Sequence, residues 1–247
     1  MNIVINGILG FMGREVRKLC DASYRGAKFA YGVDLFANGG EDNIYPSLDA
    51  IPSIDKVDCI VDFSHHEATG MLLQYAVSQN VPVVLATTGH TDEEIKLITD
   101  AAEKIPVFYS ANMSLGIALL VELAKKTAEA MPDAEIEIIE KHHNRKIDAP
   151  SGTALMIANA LKAVRPNSYA HNGRSGHGKR TKDEIGIHAI RMGNIVGEHE
   201  VIVGNENQTI TLRHEAHSRA LFAEGALAAA DFIKDKPAGL YDMKSLV

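Results

Sequence analysis

One short segment, residues 140–154, brings together side chains suited to chemistry on an acidic small molecule. It reads EKHHNRKIDAPSGTA and contains two adjacent histidines, His142 and His143, followed by Lys146. A histidine titrates near neutral pH and can donate a proton during catalysis. The Ser-Gly-Thr turn at residues 151–153 opens a predicted helix, where free backbone N–H groups suit a carboxylate or phosphate. The segment therefore predicts a proton donor, a cation and an anion cradle in one site.

Other interpretations of the same residues stay open at this point. His142 and His143 end a predicted strand and face opposite sides of it if the strand continues, so one proton donor is expected, and a pair of surface histidines is the alternative. Metal binding is not expected, because no nearby Cys, Glu or further His completes a usual ligand set. Ser151 is expected to cap the helix in any case. Capping does not explain Gly152, which lets a ligand approach the backbone.

A second feature, at the N-terminus, predicts a dinucleotide site. Gly7, Gly10 and Gly13 form the pattern G-x-x-G-x-x-G between a predicted strand at residues 3–5 and a predicted helix at residues 14–22. Glycines there allow a tight turn and the close approach of a pyrophosphate to the helix N-terminus. A turn that only reverses the chain is the alternative, but the order strand, turn, helix favours cofactor binding.

Asp34 supports the dinucleotide prediction. It ends a predicted strand at residues 29–33, about twenty residues beyond the glycine turn, where an acid binds the ribose hydroxyls of the adenosine. A carboxylate there repels the 2′-phosphate of NADPH, so Asp34 favours NADH, although a solvated loop carboxylate is the alternative. Small polar residues follow two later strands, at 86–89 and 110–113. They suit a nicotinamide ring, and each is equally consistent with an ordinary turn.

The composition limits the class of protein. The 247 residues suffice for one large domain or two modest ones, and the formal net charge of −7 argues against broad nucleic-acid binding. Cys20 and Cys59 form neither a disulfide framework nor a zinc pattern, so both are expected to be buried thiols in a reducing cytoplasm. No apolar run has the length of a membrane span and no signal-peptide layout is seen, so no membrane partner is expected.

The order of predicted elements gives two domains. Strands and helices alternate up to about residue 112, which is the pattern of a doubly wound parallel sheet. A long Ala- and Leu-rich helix then leads into a part richer in strands, where three of them lack intervening helices and predict an antiparallel or mixed sheet. Those three strands are predicted at 185–191, 200–203 and 208–213. A polar, glycine-rich stretch, 167–183, is predicted to be a mobile loop.

At this point the residues resemble the 4-hydroxy-tetrahydrodipicolinate reductase (dihydrodipicolinate reductase) family. The resemblance covers nearly the whole chain, and the 140–154 segment is its most specific part. Besides that segment and the glycine turn, the matching motifs are T-T-G at 87–89, A-N-M-S at 111–114, R-x-G-x-I-V-G-E-H at 191–199, S-R-x-x-F-A-x-G-A at 218–226 and G-L-Y-D-M at 239–243.

The resemblance implies a fold, an assembly and a reaction. It implies a Rossmann-type dinucleotide-binding domain from residues 1–112 and 216–247, and an α+β substrate-binding and tetramerisation domain with a mixed sheet from residues 113–215. It implies a cytoplasmic homotetramer whose substrate-domain strands assemble between subunits. The implied reaction is the NAD(P)H-dependent reduction of 4-hydroxy-tetrahydrodipicolinate, via dihydrodipicolinate, to tetrahydrodipicolinate on the diaminopimelate route to lysine. The partner is then a small dicarboxylate.

The family's residue roles carry over to the matching positions. His142 is expected to be the general acid, and Lys146 a second proton-donating or substrate-orienting cation. His143 is expected to contact substrate, and the backbone of Gly152 and Thr153 to hold a substrate carboxylate. No metal is expected. The residues expected to bind NADH or NADPH are Gly7, Gly10, Phe11, Met12, Gly13, Asp34, Ala86, Thr87, Thr88, Ser110, Ala111, Asn112 and Met113.

Two positions depart from the family pattern. Many members carry Arg where Phe11 stands, and some carry Arg where His65 stands; both arginines serve the phosphate of NADPH. With Asp34 in addition, NADH is predicted to be used at least as well as NADPH. A non-catalytic dinucleotide sensor or a short aspartate dehydrogenase on a similar first domain is the alternative, and the segment 140–154 weighs against both.

Overall fold

The structure is a computed structural model that describes residues 1–247, the side chain of Glu41 excepted. The chain divides into two units. Unit 1 comprises Met1–Leu115 with Arg219–Leu246, and unit 2 comprises Gly116–Ser218 with Val247.

Twelve strands and six α-helices make up the described chain, apart from short 3₁₀ turns. The strands are β1 Asn2–Asn6, β2 Lys28–Val33, β3 Ile44–Tyr45, β4 Cys59–Asp62, β5 Val83–Leu85, β6 Pro106–Tyr109, β7 Glu135–His142, β8 Tyr169–Asn172, β9 Glu184–Arg191, β10 Gly197–Asn205, β11 Gln208–Ala216 and β12 Gly239–Tyr241. The helices are α1 Phe11–Asp21, α2 Thr69–Gln79, α3 Asp92–Ala102, α4 Leu115–Ala130, α5 Gly152–Val164 and α6 Ala220–Ile233.

Unit 1 is built on a parallel sheet of seven strands in the order β12-β6-β5-β4-β1-β2-β3. All four residues of β4 are buried, as is typical of a central strand of a parallel sheet covered on both faces. The register pairs Asn6 with Asp62 and Asp62 with Leu85, so the carboxyl ends of β1, β4 and β5 lie side by side. The predicted Rossmann-type sheet is confirmed.

In unit 1, a side-chain cap sets the start of α3. Thr91 caps α3 in a capping box, with its hydroxyl accepting the Glu94 N–H and the Glu94 carboxylate accepting the Thr91 N–H. The Ala-rich helix α6 lies in the same unit and packs against α1. Cys20 and Cys59 are buried free thiols, as predicted, and burial raises the pKa of Cys20 to about 11.

Unit 2 is built on a mixed sheet of five strands in the order β11-β10-β7-β9-β8. β7 pairs antiparallel with β10 and parallel with β9, which confirms the predicted mixed sheet. Along β7 the buried residues alternate, and Ile136 and Ile138 pack with apolar residues of α4 and α5 in one core. Glu140 continues the same buried face, so the pattern that builds the core also carries a carboxylate inside it.

The loop prediction for residues 167–183 is wrong in part. Tyr169–Asn172 form β8, which pairs parallel with β9 at the edge of the sheet. Its four residues are exposed or half-buried and show no alternation of apolar and polar side chains, so periodicity carried no signal. β3 and β12, of two and three residues, were also not predicted, and both lie at edges of the sheet in unit 1. Within the described residues, no helix has the length and apolarity to cross a membrane.

Candidate active site

In unit 1, the buried carboxylate of Asp62 joins the carboxyl ends of three strands. It accepts hydrogen bonds from Asn6 Nδ2 at 2.7 Å, Thr87 Oγ1 at 2.7 Å and Ser64 Oγ at 2.6 Å. Burial raises the pKa of Asp62, and these hydrogen bonds act in the opposite direction. Asp62 therefore holds together the loops that follow β4 and β5, at the sheet edge where α/β proteins bind ligands.

Two cavities open at this edge of unit 1. The larger, of about 510 Å³, is lined by six of the residues predicted to bind cofactor, which are Met12, Ala86, Thr87, Thr88, Ala111 and Met113. The smaller, of about 370 Å³, is lined by three others, Gly7, Gly10 and Asp34. The remaining predicted positions, Phe11, Gly13, Ser110 and Asn112, are not among the lining residues of either cavity.

The geometry of the glycine turn fits a dinucleotide. Gly7 has a φ of +80°, and a Cβ there would lie 2.7 Å from the Phe63 carbonyl oxygen. A Cβ on Gly13 would collide with the Gly7 carbonyl oxygen, so Gly13 is required for the turn itself. Gly10 is the N-cap residue of α1 and no side chain caps that helix, so the first N–H groups of α1 are available to a phosphate.

Asp34 ties the glycine turn to the end of β2. Its carboxylate accepts the Leu9 N–H and the Phe36 N–H, each at 3.1 Å. The smaller cavity contains a second carboxylate, Asp49, and His65 is the one lining side chain able to carry a positive charge among the described residues. The two carboxylates therefore make this cavity electrostatically unfavourable for a phosphate group.

The carboxylate of Glu140 organises the site in unit 2. Its Oε2 accepts the His142 Nδ1–H at 2.6 Å and Arg191 Nη1 at 2.8 Å, and its Oε1 accepts Arg191 Nη2 at 2.6 Å and the Ser151 N–H at 3.0 Å. Burial alone raises the pKa of Glu140, but the hydrogen bonds from His142, Arg191 and Ser151 outweigh it and lower the pKa to about 2. Glu140 is therefore an ionised carboxylate that only accepts hydrogen bonds.

Three neighbours fix the ring of His142. Because ionised Glu140 only accepts, Nδ1 of His142 carries a hydrogen and Nε2 is the nitrogen left for other partners. The ring of His199 contacts it edge-on, with centroids 5.2 Å apart. A Cβ on Gly197 would lie 3.2 Å from His142 Nε2, so the glycine of β10 leaves room for this ring.

The anion cradle was predicted at the start of α5. Ser151 caps the helix by accepting the Ala154 N–H at 3.2 Å, and its hydroxyl lies 3.2 Å from His199 Nε2. A Cβ on Gly152 would meet no atom within 4 Å, so packing does not require glycine there. Lys146 forms an ion pair with Asp148 at 2.8 Å. A carboxylate can bind to backbone N–H groups at a helix start where a glycine leaves room for it.

Sequence reasoning assigned no role to four residues that organise these sites. They are Asp62, Glu140, Arg191 and His199. Glu140 lies inside the recognised segment, and Arg191 and His199 begin and end the motif at 191–199. The signal was therefore present as conspicuous polar residues at strand ends, but their pairing depends on a register that no local pattern gives.

The fold and the sites define an oxidoreductase with a Rossmann-type unit and a separate α+β unit. Residues 1–113 match the family model described as dihydrodipicolinate reductase, N-terminus, and residues 116–247 match the one described as dihydrodipicolinate reductase, C-terminus. The chain therefore belongs to the dihydrodipicolinate reductase family.

Individual relatives agree with this assignment. A 4-hydroxy-tetrahydrodipicolinate reductase of Caldanaerobacter subterraneus subsp. tengcongensis is 44% identical, over 100% of this chain and 98% of its own. One from Clostridium tetani is 42% identical, over 100% and 97%. The structure of a dipicolinate-bound dihydrodipicolinate reductase from Paenisporosarcina sp. TG-14 is 25% identical and superposes with a TM-score of 0.83, over 100% of this chain and 99% of that one.

His199 makes the stability of the protein depend on pH. The pKa of His199 is lowered from 6.5 to about 4, mainly because the ring is buried and secondly because His142 is nearby. The unfolded chain therefore binds a proton before the folded chain does, and stability present above pH 6.5 is lost as the pH falls to about 4. We expect His199→Gln to remove this contribution, about 3 kcal/mol across the window.

Urea unfolding at a series of pH values measures this effect. His217→Gln, at an exposed histidine of the same unit, is the matched control and should keep the wild-type slope. An unchanged slope in His199→Gln between pH 6.5 and 4 would contradict the assignment of His199 as the buried neutral histidine.

Proposed function

We propose that this chain is a 4-hydroxy-tetrahydrodipicolinate reductase, which forms tetrahydrodipicolinate via dihydrodipicolinate in lysine and diaminopimelate biosynthesis. The observation that carries the proposal is the arrangement in unit 2, where one carboxylate contacts both a histidine with a free Nε2 and the cap of a helix with an open glycine. A proton donor beside an anion cradle suits the reduction of an unsaturated dicarboxylate.

The chemistry assigns a task to each of these residues. Reduced nicotinamide, when bound, supplies a hydride to C4 of the cyclic unsaturated imine that remains after the hydroxyl leaves as water. The adjacent ring carbon then needs a proton, and the doubly protonated form of His142 donates the one on Nε2. Donation leaves a neutral ring whose remaining hydrogen stays on Nδ1, bonded to Glu140. The added hydride and proton together convert the ring to tetrahydrodipicolinate.

The dicarboxylate character of the substrate accounts for the other predicted residues. The N–H groups of Gly152 and Thr153 at the start of α5 receive one carboxylate. The ammonium of Lys146 exchanges Asp148 for a substrate carboxylate or assists proton delivery. His143, next to the acid at the end of β7, contacts substrate.

We infer that unit 1 binds the dinucleotide. The glycine turn and the uncapped start of α1 receive the pyrophosphate, and Asp34 receives the ribose hydroxyls. The larger cavity, lined by Thr87 and Thr88 among others, suits the nicotinamide. The two carboxylates of the smaller cavity support NADH as a cofactor used at least as well as NADPH.

Unit 2 is the proposed substrate-binding and tetramerisation unit. The sheet face opposite α4 and α5 carries Ile139, Ile190 and Ile202, which register pairing places on that side and which are not fully buried within the chain. This face supports the proposed homotetramer, in which strands assemble between subunits. A cytoplasmic location is proposed with it, in keeping with two free thiols.

Replacing the proton donor tests the proposed reaction. With freshly prepared substrate, wild type should oxidise NADH, and His142→Ala should lower kcat by roughly a hundredfold or more because general-acid catalysis is lost. His177→Ala, in an exposed loop, should leave kcat unchanged. Dinucleotide binding by wild type without turnover would instead favour a sensor or a different substrate.

Gly152→Ala tests the anion cradle separately from folding. The added methyl group meets no protein atom, so the melting temperature should stay unchanged. It projects beside the N–H groups proposed to bind substrate, so KM for substrate should rise roughly 10- to 100-fold, the equivalent of a charge-assisted hydrogen bond. Gly178→Ala, also at an open glycine, is the control. An unchanged KM would remove Gly152 from the cradle.

The charge of Asp34 should set the cofactor preference. Wild type should show a kcat/KM for NADH equal to or above that for NADPH, and Asp34→Asn should move the ratio about tenfold toward NADPH because a repulsive charge is lost. Asp49→Asn, in the same cavity, tests whether any carboxylate there has this effect. A wild-type preference for NADPH of about tenfold or more would refute the assignment of Asp34.

A further inference from the structure

Glu140 occupies a position that the proton-donating role of His142 does not by itself explain. It is fully buried, yet it is ionised and bonded to side chains or backbone from three places in the chain. His142 and Arg191 are register partners on the parallel strands β7 and β9, and Ser151 is the N-cap residue of α5. A buried carboxylate requires compensation of this kind, and the structure supplies it with four hydrogen bonds.

A purely structural ion pair would need only Arg191. The guanidinium already contacts both oxygens of Glu140, at 2.6 and 2.8 Å, in a bidentate pair. The additional 2.6 Å bond from His142 Nδ1 determines the tautomer of that ring, since the ionised carboxylate cannot donate. His199 and Gly197 restrict the plane of the His142 ring, but neither provides a hydrogen-bond acceptor for its Nδ1–H.

The same carboxylate connects the acid to the cradle. Oε2 holds the His142 ring, and Oε1 accepts the N–H of Ser151, the residue that caps α5. The distance between the proton donor and the first N–H groups of α5 is therefore set through one rigid, planar group. Proton transfer requires that the donor be held in position relative to the bound substrate, and small displacements reduce the rate strongly.

We propose, on the basis of the reaction proposed above, that Glu140 is the positioning residue of the active site. It keeps one ring hydrogen of His142 on Nδ1, so that the proton to be transferred is carried by Nε2 toward the substrate, and it maintains the spacing of the ring from the carboxylate cradle. Arg191 keeps Glu140 ionised for this task; the Glu140 carboxylate in turn raises the pKa of Arg191. Glu140 itself does not touch the reacting atoms.

The tautomer of His142 gives a test that does not depend on activity. In ¹⁵N-histidine-labelled protein at about pH 8.5, roughly two units above an ordinary histidine pKa, ring nitrogen shifts distinguish Nδ1–H from Nε2–H. The His142→Gln spectrum identifies the signals of His142. We expect Nδ1–H in wild type and Nε2–H, or a mixture, in Glu140→Gln. Nε2–H in wild type would overturn the proposal.

Kinetics of the same variants provide the second measurement. Glu140→Gln should lower kcat by about a hundredfold, as for loss of an oriented general acid, with KM changed by less than about threefold. Glu122→Gln is the control, because Glu122 lies on α4 of the same unit and its carboxylate also accepts hydrogen bonds from a cation, Lys125. An equal loss in Glu122→Gln, or an unchanged kcat in Glu140→Gln, would overturn the proposal.

A second pair of variants covers the possibility that Glu140→Gln does not fold. Removing Glu140 alone leaves the Arg191 guanidinium without its compensating charge, which destabilises the folded protein strongly. The comparison is then Arg191→Lys, which keeps a cation beside Glu140, against Glu140→Gln/Arg191→Met, which removes both charges together. The single variant should keep Nδ1–H on His142, and the double variant should lose it. If wild type itself shows no turnover, the proposed function fails while the tautomer result still decides the role of Glu140.

Discussion

The desolvation of one carboxylate, Glu140, is the constraint on which the active site of unit 2 depends. A charge placed inside a protein is unfavourable by several kcal/mol unless hydrogen bonds replace its hydration. Here the replacement comes from β7, β9 and α5 at once, through His142, Arg191 and Ser151. Meeting this requirement brings His142, the proposed proton donor, close to the start of α5, so the arrangement proposed for the chemistry is also the one that makes the buried charge tolerable.

Unit 1 meets a similar constraint in a different way. Asp62 is equally buried but receives only neutral donors, from Asn6, Ser64 and Thr87, and its pKa is raised. Glu140 receives hydrogen bonds from His142, from the guanidinium of Arg191 and from the Ser151 N–H, and these lower its pKa to about 2. Neutral donors are enough to fix loops at a sheet edge, where no proton has to be handled. In the proposed role, Glu140 accepts the Nδ1–H of His142, and its ionised form cannot act as a donor to that nitrogen.

The features of this protein that depend on local sequence could be predicted, and those that depend on contacts between distant residues could not. In the sequence, alternating apolar residues or continuous apolar runs identified the central strands. Clusters of small residues identified the glycine turn and the start of α5. The edge strand Tyr169–Asn172 was missed because half-exposed polar residues give no period. Glu140 and Arg191 are 51 residues apart and meet only because β7 and β9 pair in parallel at one register. A shift of one residue would place Arg191 on the opposite face, so this contact could not be derived from local pattern.

The contacts around Glu140 form a closed circuit of four residues, Glu140, Ser151, His199 and His142. The carboxylate bonds His142 and the Ser151 N–H, the Ser151 hydroxyl meets His199, and the ring of His199 packs edge-on against His142. His199 Nδ1 is buried without a described hydrogen-bond partner. A buried lone pair without a donor is less unfavourable than a buried N–H without an acceptor, so the hydrogen of His199 lies on Nε2, toward Ser151. Each member of the circuit is held by two others. Substitutions within it are therefore coupled rather than additive, and the orientation of His142 belongs to the circuit as a whole.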